Sequence, residues 1–393
     1  MEWIKNNWRA LALAAAVLIA AYFLLLANNS AQAADLGGNC CADLEERIAE
    51  LEATTARKGN KKVSLRIYGQ VNKALMHASD DSESDAFVIE NSSAESFFGV
   101  AGEATINPGW KAGYVLEIGV GGYGDGEDIL GGPDNANGLY TRRAFWFIDG
   151  PAGKGSLGLQ SQATDGIVET STANTNVVAR MLSLRPVNGP QAGEALDIFD
   201  GARDELARYD SPLMFGGLVV SASWANGSFG SADVWDVAAR YRGESGGFRY
   251  AAGLGYRDGV SIPSIGSFGD AVPFVGVSDV KVLSGSASVM HMATGLFVNA
   301  AYGRADVAGG SFAQWHAQGG VERAWNPLGM TTLYGEYSKS EDLDGQLYGA
   351  GIVQRIDAAE MDLYLSLRRI ELNPIEENDD GVTLIMGGAR VQF

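Results

Sequence analysis

The sequence predicts an all-β fold, an antiparallel transmembrane β-barrel of about sixteen strands, preceded by a short α-helical coiled-coil segment. Three observations carry this reading. From Lys62 onward, apolar and polar residues alternate with period two in run after run. The connections between the runs are alternately short and long. The sequence also stops on "GGARVQF", so that a chain of formal charge −19 ends on a bare aromatic residue, Phe393. Composition agrees: 52 glycines against 10 prolines in 393 residues are too many for a helical enzyme and too aperiodic for collagen, and they suit many strands joined by turns.

The first element is a leader. Lys5 and Arg9 precede an apolar run from Ala10 to Ala27, and Ala31-x-Ala33 follows as a small-residue cleavage pattern, so residues 1–33 read as a secretory signal peptide. A retained membrane anchor is the alternative, because the run is long enough to span a bilayer. Removal of Glu2, Lys5 and Arg9 leaves a mature chain one unit more acidic, which argues against nucleic acid as a partner. Cys40 and Cys41 are adjacent. They support neither a disulfide framework nor a zinc site, and either cross-link neighbouring subunits or remain passive.

Residues 34–61 hold a periplasmic linker and a short helix. Leu44, Ile48 and Leu51 form a narrow apolar seam in "ADLEERIAELEATTARKGN", with acids at its start, Arg57 and Lys58 at its end, and Gly59-Asn60 as a stop. About two heptads do not hold as an isolated coil. They need several copies held together by something else.

Residues 62–393 form the barrel. Met361, Leu363, Leu365 and Leu367 share one face of their run, with Asp362, Tyr364, Ser366 and Arg368 on the other. In "VWDVAARYR", Trp235, Val237, Ala239 and Tyr241 oppose Asp236, Ala238, Arg240 and Arg242. Short turns at 107–109, 150–155, 243–247, 326–329 and 357–358 alternate with polar loops near 77–94, 121–138, 163–203, 226–231, 258–278, 304–312, 339–344 and 372–380. This is the layout of an up-and-down barrel with short turns at one rim. Closure is required, because an open edge in hydrocarbon leaves backbone groups unpaired. A soluble sandwich would strand Trp235, Tyr241, Trp315 and Tyr337 in water.

Longer segments carry a family resemblance. "SLRIYGQVNKAL", "SFFGVAGEATINPGWKAGYVLEIG", "TRRAFWFIDGPAGKGSLGLQSQATDGI" and "ARYDSPLMFGGLVVSASWA" resemble the opening strands and third-loop region of Gram-negative general porins. "CCADLEERIAELEATTARKGNKKVSL" and "VWDVAARYRGE" are similar to the porins of alphaproteobacteria. The resemblance covers nearly all of the mature chain. It implies a sixteen-stranded homotrimer in the outer membrane, with loop 3, about 163–203, folded into each lumen as a constriction. It also implies that Phe393 is the terminal aromatic recognised by the outer-membrane assembly machinery, and that Arg142 in "TRRAF" lines the eyelet.

Parity then assigns the lumen. If Phe393, Val391 and Ala389 face lipid, Arg390 and Gln392 face inward, as do Arg66, Tyr68, Gln70 and Asn72 on the first strand. Lys73 falls outside and calls for a bulge or a subunit contact. Arg66, Arg142, Arg203 and Arg208 are the basic candidates for the constriction, and Asp165, Glu169, Glu194, Asp197 and Asp200 are the acidic ones. Gln70 and Phe97 stand where general porins often carry basic residues. The loop acids therefore outnumber the basic arc, and the expectation is a weakly cation-selective pore.

Enzyme, metal and cofactor signatures are not supported. Gly119, Gly121 and Gly124 fit G-x-G-x-x-G but precede a polar loop, and His77, His291 and His316 are scattered. The acidic clusters at 80–85 and 125–128 suit either lipopolysaccharide bridged through divalent cations or loop solubility. The expected function is passive diffusion of small hydrophilic solutes. A substrate-selective channel and a structural tether to peptidoglycan through the coil are the alternatives, and an outer-membrane enzyme barrel ranks behind both. One prediction follows from the coil: Leu44→Asp with Leu51→Asp lowers the melting temperature of the trimer and leaves conductance unchanged. Equal melting temperatures of parent and variant would remove the coil from assembly.

Overall fold

The computed structural model describes residues 62–79, 84–120, 138–179, 199–226, 233–260, 279–307, 310–341, 345–371 and 381–393. By internal contacts the chain divides into Met1–Ser64 and Leu65–Phe393. The leader and the seam of Leu44, Ile48 and Leu51 lie outside the described residues.

Seventeen strand segments build the second unit. They are β1 (Arg66–Ser79), β2 (Ser84–Glu90), β3 (Phe97–Asn107), β4 (Trp110–Val120), β5 (Leu139–Gly150) and β6 (Gly153–Ser161). Next come β7 (Arg203–Asp210), β8 (Leu218–Ala225), β9 (Val234–Ser245), β10 (Phe248–Val260), β11 (Val280–His291) and β12 (Leu296–Val307). The last are β13 (Gly310–Asn326), β14 (Gly329–Ser340), β15 (Gln346–Ile356), β16 (Met361–Glu371) and β17 (Val382–Gln392). Each pairs antiparallel with its neighbours, and β17 returns to β1. The sheet is a closed sixteen-stranded barrel.

Seventeen segments make sixteen strands because β2 and β3 share one edge of β1. Lys73–Ser79 pairs with β2 and Arg66–Gln70 with β3. The break spans "NSSAES", which has no apolar alternation. Its turn carbonyls are held by inward amides of β1, with Gln70 donating to Glu95 O at 2.7 Å and Asn72 to Ala94 O at 2.9 Å. Lys73 faces outward, half-buried, and forms an ion pair with its register partner Glu90 at this break.

Strands also run farther than their polarity suggests. The polar stretch 304–312 is expected as a loop, yet β12 reaches Val307 and β13 starts at Gly310. Ala305, Val307 and Phe312 continue the buried inner face, and that burial extends the ladder through Arg304 and Asp306. Two short connections escaped the turn reading, 211–217 between β7 and β8 and 292–295 between β11 and β12.

The outer face is apolar and exposed. Leu254 is 60% and Val298 57% exposed, which only a hydrocarbon surround makes favourable across a whole wall. Aromatic pairs sit on it, with Trp315 against Tyr337 at 5.1 Å, Trp235 against Tyr256 at 5.5 Å, and Tyr241 stacked on Tyr250 at 5.9 Å. Phe393 continues the ladder by exchanging backbone hydrogen bonds with Gly69 at 3.0 and 3.1 Å. Its ring lies over Gly69, where a Cβ would stand 2.7 Å from Cζ.

Inside, the described residues between β6 and β7, 162–179 and 199–202, lie against the wall instead of leaving it. Ala163, Ile167, Val168 and Phe199 cluster with inward apolar residues of β9 to β13, and Val177 to Ala179 with those of β1, β2, β11, β12 and β14 to β17. Inward glycines make room. A Cβ on Gly255 would come 2.6 Å from Thr164 Cγ2, and one on Gly303 would overlap the Phe199 ring. Gly303→Val therefore overpacks this contact by about 1–3 kcal/mol while leaving the sheet ladder whole. Limited proteolysis of the folded barrel is expected to nick the chain between Gln162 and Arg203 faster than in the parent. An unchanged nicking rate would mean that Phe199 does not anchor the segment.

Candidate functional site

The inner wall has two halves of different chemistry. On β8 to β16, short polar side chains form a row of rungs for the segment Gln162–Ala179. Ala163 N donates to Ser223 Oγ at 3.0 Å, and Thr164 donates to Asp236 from N at 2.6 Å and from Oγ1 at 2.7 Å. Ser286 Oγ donates to Ile167 O at 2.6 Å, Thr172 N to Ser288 Oγ at 2.8 Å, and Asn299 Nδ2 to Ser171 Oγ at 2.9 Å. Asn174 then spans two strands, from N to Glu322 at 2.8 Å and from Nδ2 to Asp362 at 2.8 Å. The row ends where Asn91, beside the break after β2, donates to Val177 O at 2.9 Å. Asp236 is 1% exposed and accepts three hydrogen bonds, so burial of its charge is compensated locally.

On β3 to β9 the wall carries arginines. A β-bulge between β4 and β5 decides their arrangement: Glu117 pairs with Arg143 while the next residue, Ile118, pairs with Thr141. Arg142 is the extra residue, and both neighbours reach the inward carboxylate. Arg142 Nη1 lies 2.5 Å from Glu117 Oε2 and Arg143 Nη1 3.5 Å from Oε1, while Tyr68 donates to Oε1 at 2.9 Å. Glu95, supplied by the break before β3, takes Arg142 Nε at 3.3 Å, Arg203 Nη1 at 3.6 Å and Tyr140 at 3.2 Å. Phe97, paired with Gln70 on the inner face, lies under the Arg142 guanidinium at 4.7 Å.

The sequence-predicted residues divide accordingly. Arg142 and Arg203 meet at Glu95. Arg208 is held by Asp210, with Nη2 at 2.7 Å, and by the carbonyls of Ser161 and Gln162. Arg66 opens β1, exposed and 5.0 Å over the Tyr68 ring, and is not drawn into this ion-pair cluster. Asp165 lines the cavity described next, and its carbonyl accepts from Arg240 at 2.6 Å. The Glu169 carbonyl takes Asn176 at 2.7 Å. The Asp200 carboxylate caps Gly166 N and Ile167 N at 3.0 Å each, so it organises the segment. Glu194 and Asp197 lie outside the described residues.

Arg143, Arg240, Arg242, Glu95 and Glu117 were not among the residues predicted for the site. Period two marks Arg240 and Arg242 as polar-face residues of β9 and is enough to find them. Along β5 the same period sets Arg143 on the face opposite outward Trp146 and Ile148, and the bulge is what brings Arg142 to the inner carboxylate as well. Together with Arg208, Asp210, Asp165, Ser161 and Ser221, these arginines line a cavity of about 570 Å³ that also meets Leu213, Gly216, Gly217 and Val219. Among its described lining residues, four arginines face two aspartates.

A closed barrel with a charged inner wall and an apolar outer one is the architecture of an outer-membrane channel. The family model of Gram-negative porins matches residues 12–374. The chain belongs to the Gram-negative porin family. No curated protein matches the sequence. Among solved structures, the anion-selective porin from Comamonas acidovorans superposes with TM-score 0.60 at 16% identity, over 84% of this chain and 100% of that one. OmpT of Vibrio cholerae in its trimer form gives 0.57 at 13%, over 85% and 100%. Salmonella typhi OmpF, in complex with daunomycin, gives 0.52 at 15%, over 85% and 99%. At these identities the likeness shows the fold. Family and fold together point to an outer-membrane channel for small solutes.

Glu117 is the keystone of the basic half. Glu117→Gln leaves two guanidinium groups without their shared carboxylate, at a cost of roughly 3–5 kcal/mol. The expected outcome is a lower temperature for loss of the folded, heat-modifiable form. An unchanged transition would show that the Glu117 carboxylate does not hold this cluster together.

Proposed function

We propose that the chain forms a water-filled pore for passive diffusion of small hydrophilic solutes, narrowed by the segment 162–202, with a weak preference for anions. The single observation that carries the sign is the cavity wall, where Arg143, Arg208, Arg240 and Arg242 face Asp165 and Asp210. Counting loop acids favours cations, but placement changes the count. Asp200 is spent on two backbone N–H groups, and Glu95 and Glu117 are each shared between arginines. Charges farther off than about 8 Å, the screening length at physiological salt, count for little. The Comamonas relative is itself described as anion-selective.

The same proposal includes a homotrimer, as in the trimer form of the Vibrio cholerae relative. A short coil over 42–58, similar to that of alphaproteobacterial porins, is part of it, and tethering to three barrels raises its local concentration. It also includes a leader cut near Ala33, loops in contact with lipopolysaccharide, and a coil that can approach peptidoglycan. Phe393 serves as the signal for the assembly machinery, a role supported by its place at the end of the closing strand.

Reversal potentials in planar bilayers under a potassium chloride gradient test the sign. Chloride preference is expected, fading as salt rises. Arg240→Gln reduces it, Arg142→Gln reduces it, and Asp165→Asn increases it. Cation preference in the parent would overturn the sign and return it to the loop acids. Absence of ion conductance would overturn the channel itself.

A further inference from the structure

The part of the cavity nearest the short-turn rim has a composition that simple ion diffusion does not require. Arg240 and Arg242 stand two residues apart on the inner face of β9, about 7 Å along the strand. Arg240 gives one N–H to Asp165 O. The Arg242 side chain has no hydrogen-bond or ion partner among the described residues. Arg143, higher in the same cavity, keeps a buried Nε without an acceptor. Beside these donors stands Leu213, 68% exposed, carried by the turn between β7 and β8, with Val219 close by on β8. Gly217 holds that turn against β9, accepting from Arg242 N at 3.1 Å.

We propose that this end of the cavity binds small organic acids that carry one carboxylate on an apolar body. Arg242 and Arg240 take the carboxylate, and Leu213 and Val219 cover the apolar part. The inference rests on the channel reading and deepens it by naming a solute class. Other ligands fit the wall less well. An inorganic anion would use the arginines and leave Leu213 in water. A neutral sugar would leave Arg242 without a counter-charge. A second carboxylate on the same ligand would meet either Leu213 or Asp210, whose charge is already matched by Arg208 and Ser221. A cavity of about 570 Å³ is ample for a ligand of this size.

Conductance of the full-length protein in planar bilayers, in potassium chloride titrated with sodium benzoate or sodium acetate, tests the site. Benzoate is expected to reduce the current at about tenfold lower concentration than acetate, the ratio that partial burial of its ring against Leu213 supports. Arg242→Gln is expected to raise the half-blocking benzoate concentration about tenfold through loss of a charge-assisted hydrogen bond. Leu213→Ser is expected to bring benzoate close to acetate. Benzoate no more effective than acetate in the parent would overturn the site, as would the same benzoate block in parent and both variants. A chloride-preferring channel indifferent to benzoate refutes only the organic-acid site, whereas a protein that does not conduct refutes the channel reading beneath it.

Discussion

Every backbone N–H and C=O that enters hydrocarbon needs a partner within the protein, and the pairing of β17 with β1 completes that requirement. Without it, two strand edges would face lipid with unpaired polar groups, each costing several kcal/mol. The rest of the molecule is arranged around this closure. Arg390 of β17 and Arg355 of β15 both reach Asp362 of β16, which is 0% exposed, so an ion-pair knot stands just inside the seam. On the outside, Gly69 leaves space for the Phe393 ring beside the last pair of backbone hydrogen bonds.

Closure creates a second problem. The inner face of a barrel of this size cannot be filled by its own side chains, so it stays hydrated or takes in another segment of chain. Here it does both, on different halves. From β8 to β16 the wall offers serine, asparagine, aspartate and glutamate side chains at positions where the incoming backbone needs donors or acceptors. Glycines appear where Thr164, Ile167 and Phe199 come closest. From β3 to β9 the wall keeps guanidinium groups, and among the described residues a cavity remains in front of them.

That division governs the electrostatics. Several acids among the described residues are engaged within the wall. Asp236 and Asp200 hold backbone N–H groups of the inner segment, while Glu117 and Glu95 each bridge two arginines, Arg142 being common to both. Arginine suits this work, since one guanidinium can bind a carboxylate through some of its donors and leave others for a solute. Solute preference then depends on where counter-charges are placed and only weakly on net charge.

Much of this was legible in the residues. Period-two alternation determined the strands and their lipid and lumen faces, because a strand has only two faces and burial separates them: Trp235 and Leu365 had to point outward, and Asp236, Arg240 and Arg390 inward. Alternating connection lengths determined the up-and-down order. Tertiary structure decided what no local pattern encodes. The break that puts Glu95 beside Arg142, the bulge that turns Arg142 and Arg143 to the same carboxylate, and the use of Asp200 as a cap within the inner segment all depend on partners 25 to 47 residues away in sequence. The extension of β12 and β13 through Arg304 and Asp306 follows from burial of Ala305 and Phe312 on the inner face. A strand reports which side a residue faces. Only the closed wall determines what meets it there.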